Sequence, residues 1–198
     1  MSTALTTRLS PEEYLAIERA ADRKSDYWNG EMFALAGASE RHGTIVANLV
    51  FSLVGALKGR PCKVYANDLR LQVAATGLYT YPDLLVICGP PEFSDEVQDM
   101  VRNPRLIVEV LSPSTEDYDR GRKFAHYRTL PSLVEYLVVA QDRPHVERFF
   151  REQGDHEIPG PRWVLTEESR REGAIHLLSV DAILSLREVY DKVELAPG

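Results

Sequence analysis

Arg105-Leu106-Ile107-Val108-Glu109-Val110-Leu111 is a continuous apolar run broken by a single carboxylate. Such a run marks a strand covered on both faces, as in a sheet flanked by helices. Alternation sets Leu106, Val108 and Val110 on one face and Ile107, Glu109 and Leu111 on the other. Glu109 is therefore expected in a core, where an ionised carboxylate costs several kcal/mol unless it is paired or bound to a metal.

The neighbouring segments fill in around this strand. Downstream, Ser112-Pro113-Ser114-Thr115 reads as the cap of a helix from about Glu116 to about Arg128. Strands are predicted at Tyr136–Ala140 and Val146–Arg151, a closing hairpin from Trp163–Thr166 and Ile175–Leu178, and a short last helix from Val180 to Leu186. Upstream, Tyr81–Ile87 reads as a strand opened by Pro82, with further strands near Lys63–Tyr65 and Asp68–Val73 and an acidic exposed segment at Glu92–Met100. His42, Ile45, Val46, Leu49, Leu53 and Leu57 recur at helical spacing, which predicts a helix from Ser39 to Lys58 closed by Gly59. Asn29-Gly30 suits a tight hairpin turn between Asp26-Tyr27-Trp28 and Glu31–Leu35. Ser10, Pro11 and Glu13 form a helix start: an N-cap, a proline at the first position and a glutamate three after the cap. The order of elements predicts a mixed α/β (α+β) architecture, read as one domain over residues 1–198.

Composition limits the function. The chain has 198 residues, and 23 Lys and Arg against 30 Asp and Glu give a formal charge of −7. This argues against coating nucleic acid by bulk charge but leaves room for a local basic patch. No run approaches the ~20 apolar residues of a membrane span, and the N-terminal MSTALTTRLS lacks the apolar core of a signal peptide. Cys62 and Cys88 show no metal-binding spacing and read as reduced, buried small hydrophobes. The expectation is a cytoplasmic protein without membrane contact.

Asp83 opens a strand of buried residues and Glu109 lies inside another, so neighbouring strands would bring two carboxylates within a few ångströms. Like charges that close demand a cation or a shared proton, and hard oxygen donors favour Mg²⁺ or Mn²⁺. The alternative is that Glu109 pairs with a buried Arg or Lys while Asp83 caps a turn. On the next helix Asp119, Lys123 and Tyr127 lie four apart on one face. From Val101 to Arg128 six Lys and Arg face four Asp and Glu, a local positive excess in an acidic chain. The ordinary reading of Asp119 and Lys123 is a surface pair worth a few tenths of a kcal/mol.

Tyr-Pro-Asp83, then Val108-Glu109-Val110-Leu111-Ser112-Pro113-Ser114-Thr115, then Asp119, Lys123 and Tyr127, together resemble the Uma-type family of bacterial restriction-endonuclease-like proteins in the PD-(D/E)XK nuclease superfamily. Asp26-Tyr27-Trp28-Asn29-Gly30-Glu31 resembles that family's acid-and-Gly hairpin, His42 its helix histidine, and the strands at Tyr136 and Val146 its later strands. The resemblance spans about Ser10 to Val189.

It implies a restriction-endonuclease-like core, a central mixed sheet flanked by helices, and metal-dependent hydrolysis of phosphodiester bonds in nucleic acid, with DNA as the partner. Asp83, Glu109 and the Val110 carbonyl would hold Mg²⁺ or Mn²⁺. Leu111 occupies the superfamily's usual lysine position, so Lys123 on the following helix is the matching candidate. His42 would reach the same site, and Tyr127 would support Lys123 or a water. Arg120, Arg122 and Arg128 would position backbone phosphates, which gives affinity without sequence readout. Asp26 is read as a hairpin anchor, Trp28 and Trp163 as packing residues, and a homodimer as the route to cutting two strands. Two other readings stand beside this one: a catalytically silent module that keeps the nuclease scaffold for binding, and a metal-dependent hydrolase of a small phosphodiester.

Overall fold

The computed structural model describes residues 8–112, 116–154 and 160–195. Its centre is a six-stranded mixed sheet in the order β11-β10-β9-β8-β6-β3. These strands are β3 (Cys62–Ala66), β6 (Leu84–Cys88), β8 (Leu106–Val110), β9 (Glu135–Val139), β10 (Val146–Glu152) and β11 (Arg162–Glu168). Only β8 and β9 run parallel. All five residues of β8 are buried, and its alternation holds: Leu106, Val108 and Val110 enter one core cluster, Ile107 and Leu111 the other.

The first cluster lies under helix α2 (Glu40–Ala56), whose Ile45, Val46, Leu49 and Leu53 are its buried stripe. Ser39 caps α2 by accepting from the His42 amide at 3.1 Å, and Gly59 closes the segment with φ +78°. Against the opposite face stands a second, five-stranded sheet, β2-β1-β5-β4-β7, made of β1 (Ser25–Trp28), β2 (Glu31–Ala34), β4 (Arg70–Val73), β5 (Leu78–Thr80) and β7 (Met100–Val101). Helix α1 (Pro11–Ala20) begins with the full capping box of Ser10 and Glu13 and stacks Tyr14 on Tyr27 of β1.

The Asn29-Gly30 turn has φ +52° and +86°, the two positive angles of a tight hairpin. A Cβ on Gly30 would also meet the Arg8 side chain at 2.4 Å, so this position excludes side chains twice over.

Several expectations are corrected. Tyr81–Ile87 is not one strand: β5 ends at Thr80, Tyr81 and Pro82 break the ladder, and β6 starts at Leu84, because proline has no N–H to donate. Trp163 belongs to β11, which extends the central sheet through β10 rather than pairing with Ile175. The last hairpin is instead β12 (Ala174–Leu177) with β13 (Ala182–Ser185), and the helix expected at Val180–Leu186 is mostly β13, followed by a single turn, α5 (Leu186–Val189). Its burial alternates residue by residue, a strand pattern that a short apolar run conceals.

Glu116–Arg128 is helical but not uniform: α3 (Glu116–Tyr118) passes through a π-helical turn at Asp119–Lys123 into α4 (Phe124–Tyr127). The expected cap residues Pro113, Ser114 and Thr115 lie outside the described residues. Cys62 and Cys88 are not reduced: they stand opposite each other in the β3–β6 register and form a disulfide. Trp163 packs edge-on against Phe124, and Trp28 against His126. Among the described residues no helix is long and apolar enough to cross a membrane.

Candidate active site

Leu84 of β6 pairs with Val108 of β8, so one step further along the ladder stand Asp83 and Glu109. Pro82, which has no N–H to donate, interrupts the ladder just before Asp83. The Val110 amide donates to Asp83 Oδ2 at 2.7 Å, and His42 Nε2 lies 3.2 Å from the same oxygen. Asp83 thus ties β6, β8 and α2 together at one point. Its hydrogen bond, reinforced by its charge and that of Asp119, raises the pKa of His42 against the opposing effect of burial.

Glu109 is 3% exposed and carries its own partners on Oε1. The Tyr127 hydroxyl donates to it at 2.7 Å, and Lys123 Nζ lies 2.9 Å away. Burial pushes Glu109 up to about 8, with the Lys123 charge pulling the other way and the Asp83 charge adding to the rise. Lys123 also lies 3.5 Å from Asp119 Oδ1. Burial works against its charge, but Glu109, Asp119 and Asp26 hold its ammonium well above the ordinary lysine value. Asp119, Lys123 and Tyr127 are all buried, on a helix whose Asp117, Gly121 and Arg122 are exposed and which takes a π-helical turn at Asp119–Lys123. A π turn inside a helix is a recurrent mark of functional sites.

Asp83, Glu109, Val110, His42, Asp119 and Lys123 line one cleft of about 830 Å³. Four expected site residues therefore meet (Asp83, Glu109, Lys123 and His42), with Tyr127 directly behind Glu109 and the Val110 backbone at the same point. The three arginines do not join them. Arg120 is bound by Glu147 at 2.7 Å and by Glu116, while Arg122 and Arg128 are exposed and outside the cleft lining.

Two features escaped the sequence reading. Asp26 is 6% exposed, with Oδ1 buried and without a hydrogen-bond partner among the described residues, and its charge acts on Lys123. The signal was available, since an acid within a short apolar strand is the same anomaly that marked Glu109. Arg23, Lys24 and Gln141 also line the cleft, and only the tertiary fold brings these loop residues there.

Among the described residues no three His, Cys, Asp or Glu side chains are grouped to hold a metal ion alone. The donor set nevertheless fits Mg²⁺, which takes one or two carboxylates and fills its other positions with water and substrate phosphate. The contacts of Asp83 use Oδ2 and those of Glu109 use Oε1, leaving Oδ1 and Oε2 outside these bonds.

A central mixed sheet flanked by helices, with two acids reaching one cleft from adjacent strands, places the chain in the class of restriction-endonuclease-like folds. The chain belongs to the Uma2 family, described as "Putative restriction endonuclease", whose model matches residues 11–177. It is 40% identical over 167 residues to an uncharacterized protein of Synechocystis sp., sll1609, covering 84% of this chain and 91% of that one. It is 38% identical over 149 residues to a second from the same organism, slr1290, covering 75% and 77%. Its fold matches the crystal structure of a putative nuclease belonging to DUF820 from Anabaena variabilis, with a TM-score of 0.72 at 17% identity, over 92% of this chain and 98% of that one.

Proposed function

We propose that this cleft hydrolyses phosphodiester bonds of DNA with a divalent cation held by Asp83, Glu109 and the Val110 carbonyl. One observation carries the reading: two carboxylates from adjacent strands and a buried, charged lysine open on the same cleft. A bound Mg²⁺ or Mn²⁺ supplies Lewis-acid stabilisation of the phosphorus-centred charge and a more acidic water.

The protein's own groups do the rest. Lys123, kept protonated by three carboxylates, acts as a hydrogen-bond donor and positive charge for the attacking water and the developing dianion, not as its base. Tyr127 fixes Glu109 through its hydroxyl, and Asp119 keeps Lys123 anchored when Glu109 turns to other duty. His42 orients Asp83 from 3.2 Å away. The fold works as a single domain and, for double-strand cleavage, as a homodimer.

A silent binding module is favoured by one observation: Glu109 already spends Oε1 on Lys123 and Tyr127. Supercoiled plasmid incubated with Mg²⁺ or Mn²⁺ separates the two. The wild type is expected to nick it and Asp83→Asn to leave it intact. Binding without nicking by the wild type would favour the silent module.

A further inference from the structure

Each cation lining the cleft but one is already committed. Lys123 is paired with Glu109 and Asp119, His42 with Asp83, and Lys24 with Asp68. Arg23 is exposed and has no ion pair or hydrogen bond among the described residues, although it lines the same cleft.

Its backbone is fixed on the C-terminal side. The Ser25 amide donates to Glu18 Oε1 at 2.9 Å, and the Leu35 amide donates to the Lys24 carbonyl at 3.0 Å. Lys24 Nζ donates to the Asn67 carbonyl at 2.8 Å, and the Asn67 amide donates to the Asp83 carbonyl at 3.0 Å. Asn67 sits at φ +53°, a left-handed conformation that asparagine tolerates better than most residues. Two hydrogen bonds thus tie the segment carrying Arg23 to the backbone of Asp83.

We propose that Arg23 is the substrate-phosphate anchor of this cleft, holding a backbone phosphate of the nucleic acid while Lys24 and Asn67 set its distance from Asp83. The inference rests on the nuclease reading and specifies how its substrate is gripped. The guanidinium is a planar, permanently charged fork suited to phosphate oxygens. Arg120 is less suited, because Glu147 and Glu116 already hold its charge. The only acid adjoining Arg23 in sequence, Asp22, is exposed to solvent.

The test is fluorescence anisotropy of a fluorescein-labelled DNA duplex and its single strand, in Ca²⁺, between about 50 and 200 mM salt. Each phosphate contact adds about 0.9 to the slope of log affinity against log salt, so Arg23→Ala should lower the slope by about one. At about 0.1 M salt that is roughly an eightfold loss of affinity. Arg23→Lys should restore most of the slope. Arg187→Ala, which removes an equal charge on α5 outside the cleft lining, should leave it unchanged. Melting temperatures confirm that each variant is folded.

An unaltered slope in Arg23→Ala, with the wild type still binding and cutting, overturns the anchor while the nuclease reading stands. An equal loss in Arg187→Ala also overturns it, since bulk charge would then be the cause. Failure of the wild type to bind either DNA overturns both.

Discussion

Replacing Asp83 separates its chemical role from its structural one. In metal-free buffer its Oδ2 accepts from the Val110 amide at 2.7 Å, at a position where Val110 is 3% exposed. Asp83→Asn keeps a carbonyl oxygen for that amide but exchanges a charge-assisted bond for a neutral one, a loss of about 1 kcal/mol. Removing the charge also relieves Glu109, which Asp83 pushes upward. The net change is about 0–1 kcal/mol, and for a chain of this length the melting temperature moves by about 4 °C at most. Asp83→Ala leaves the Val110 amide buried without an acceptor and costs about 1–3 kcal/mol, or roughly 2–12 °C. Differential scanning calorimetry of the two variants, beside plasmid nicking, should show cleavage lost in both and stability lost mainly in alanine. Equal destabilisation by Asn and Ala would refute this reasoning, because the charge itself would then hold the strands. Nicking that survives in Asn would refute the catalytic assignment.

Further predictions concern the ion pairs. Lys123→Met leaves Glu109 and Asp119 buried without their cation and should lower unfolding free energy in urea by about 3–5 kcal/mol, whereas a loss below about 1 kcal/mol would mark the pair as incidental. Burial would raise Glu147, but hydrogen bonds from Arg120 and His145 overcome it and lower its pKa below the ordinary 4.5. With the folded value depressed, the stabilisation is present above the unfolded pKa and disappears as pH falls through the folded one. The melting-temperature difference between wild type and Glu147→Gln should therefore be full at pH 6 and shrink below about 4.5. A difference constant across that range would show that the pair contributes no proton linkage.

The strand at Leu106–Val110 was legible because its burial on both faces leaves one periodic signature and one anomaly, Glu109. The helix cap at Ser10 and the turn at Asn29-Gly30 were legible because they are local devices written in a few consecutive residues. Asp83, Glu109, Lys123 and His42 converge as the sequence suggested, since acids inside apolar runs are costly enough to need a reason. What stayed hidden depends on contacts distant in sequence. The pairing of β11 with β10 rather than with Ile175, and the Cys62–Cys88 disulfide, follow from strand register. The capture of Arg120 by Glu147 follows from the parallel placement of β8 beside β9, with β10 next in the sheet. The π-helical turn leaves no local signature, because Asp119, Lys123 and Tyr127 keep a spacing that an ordinary helix also satisfies.

Calorimetric titration of Mn²⁺ into the purified protein tests the central claim most directly, because it needs no choice of substrate. Saturable uptake by the wild type, abolished in both Asp83→Asn and Glu109→Gln with each variant folded, is the result expected if these two carboxylates hold the catalytic cation. Uptake that persists in both variants, or no uptake by the wild type, would contradict it.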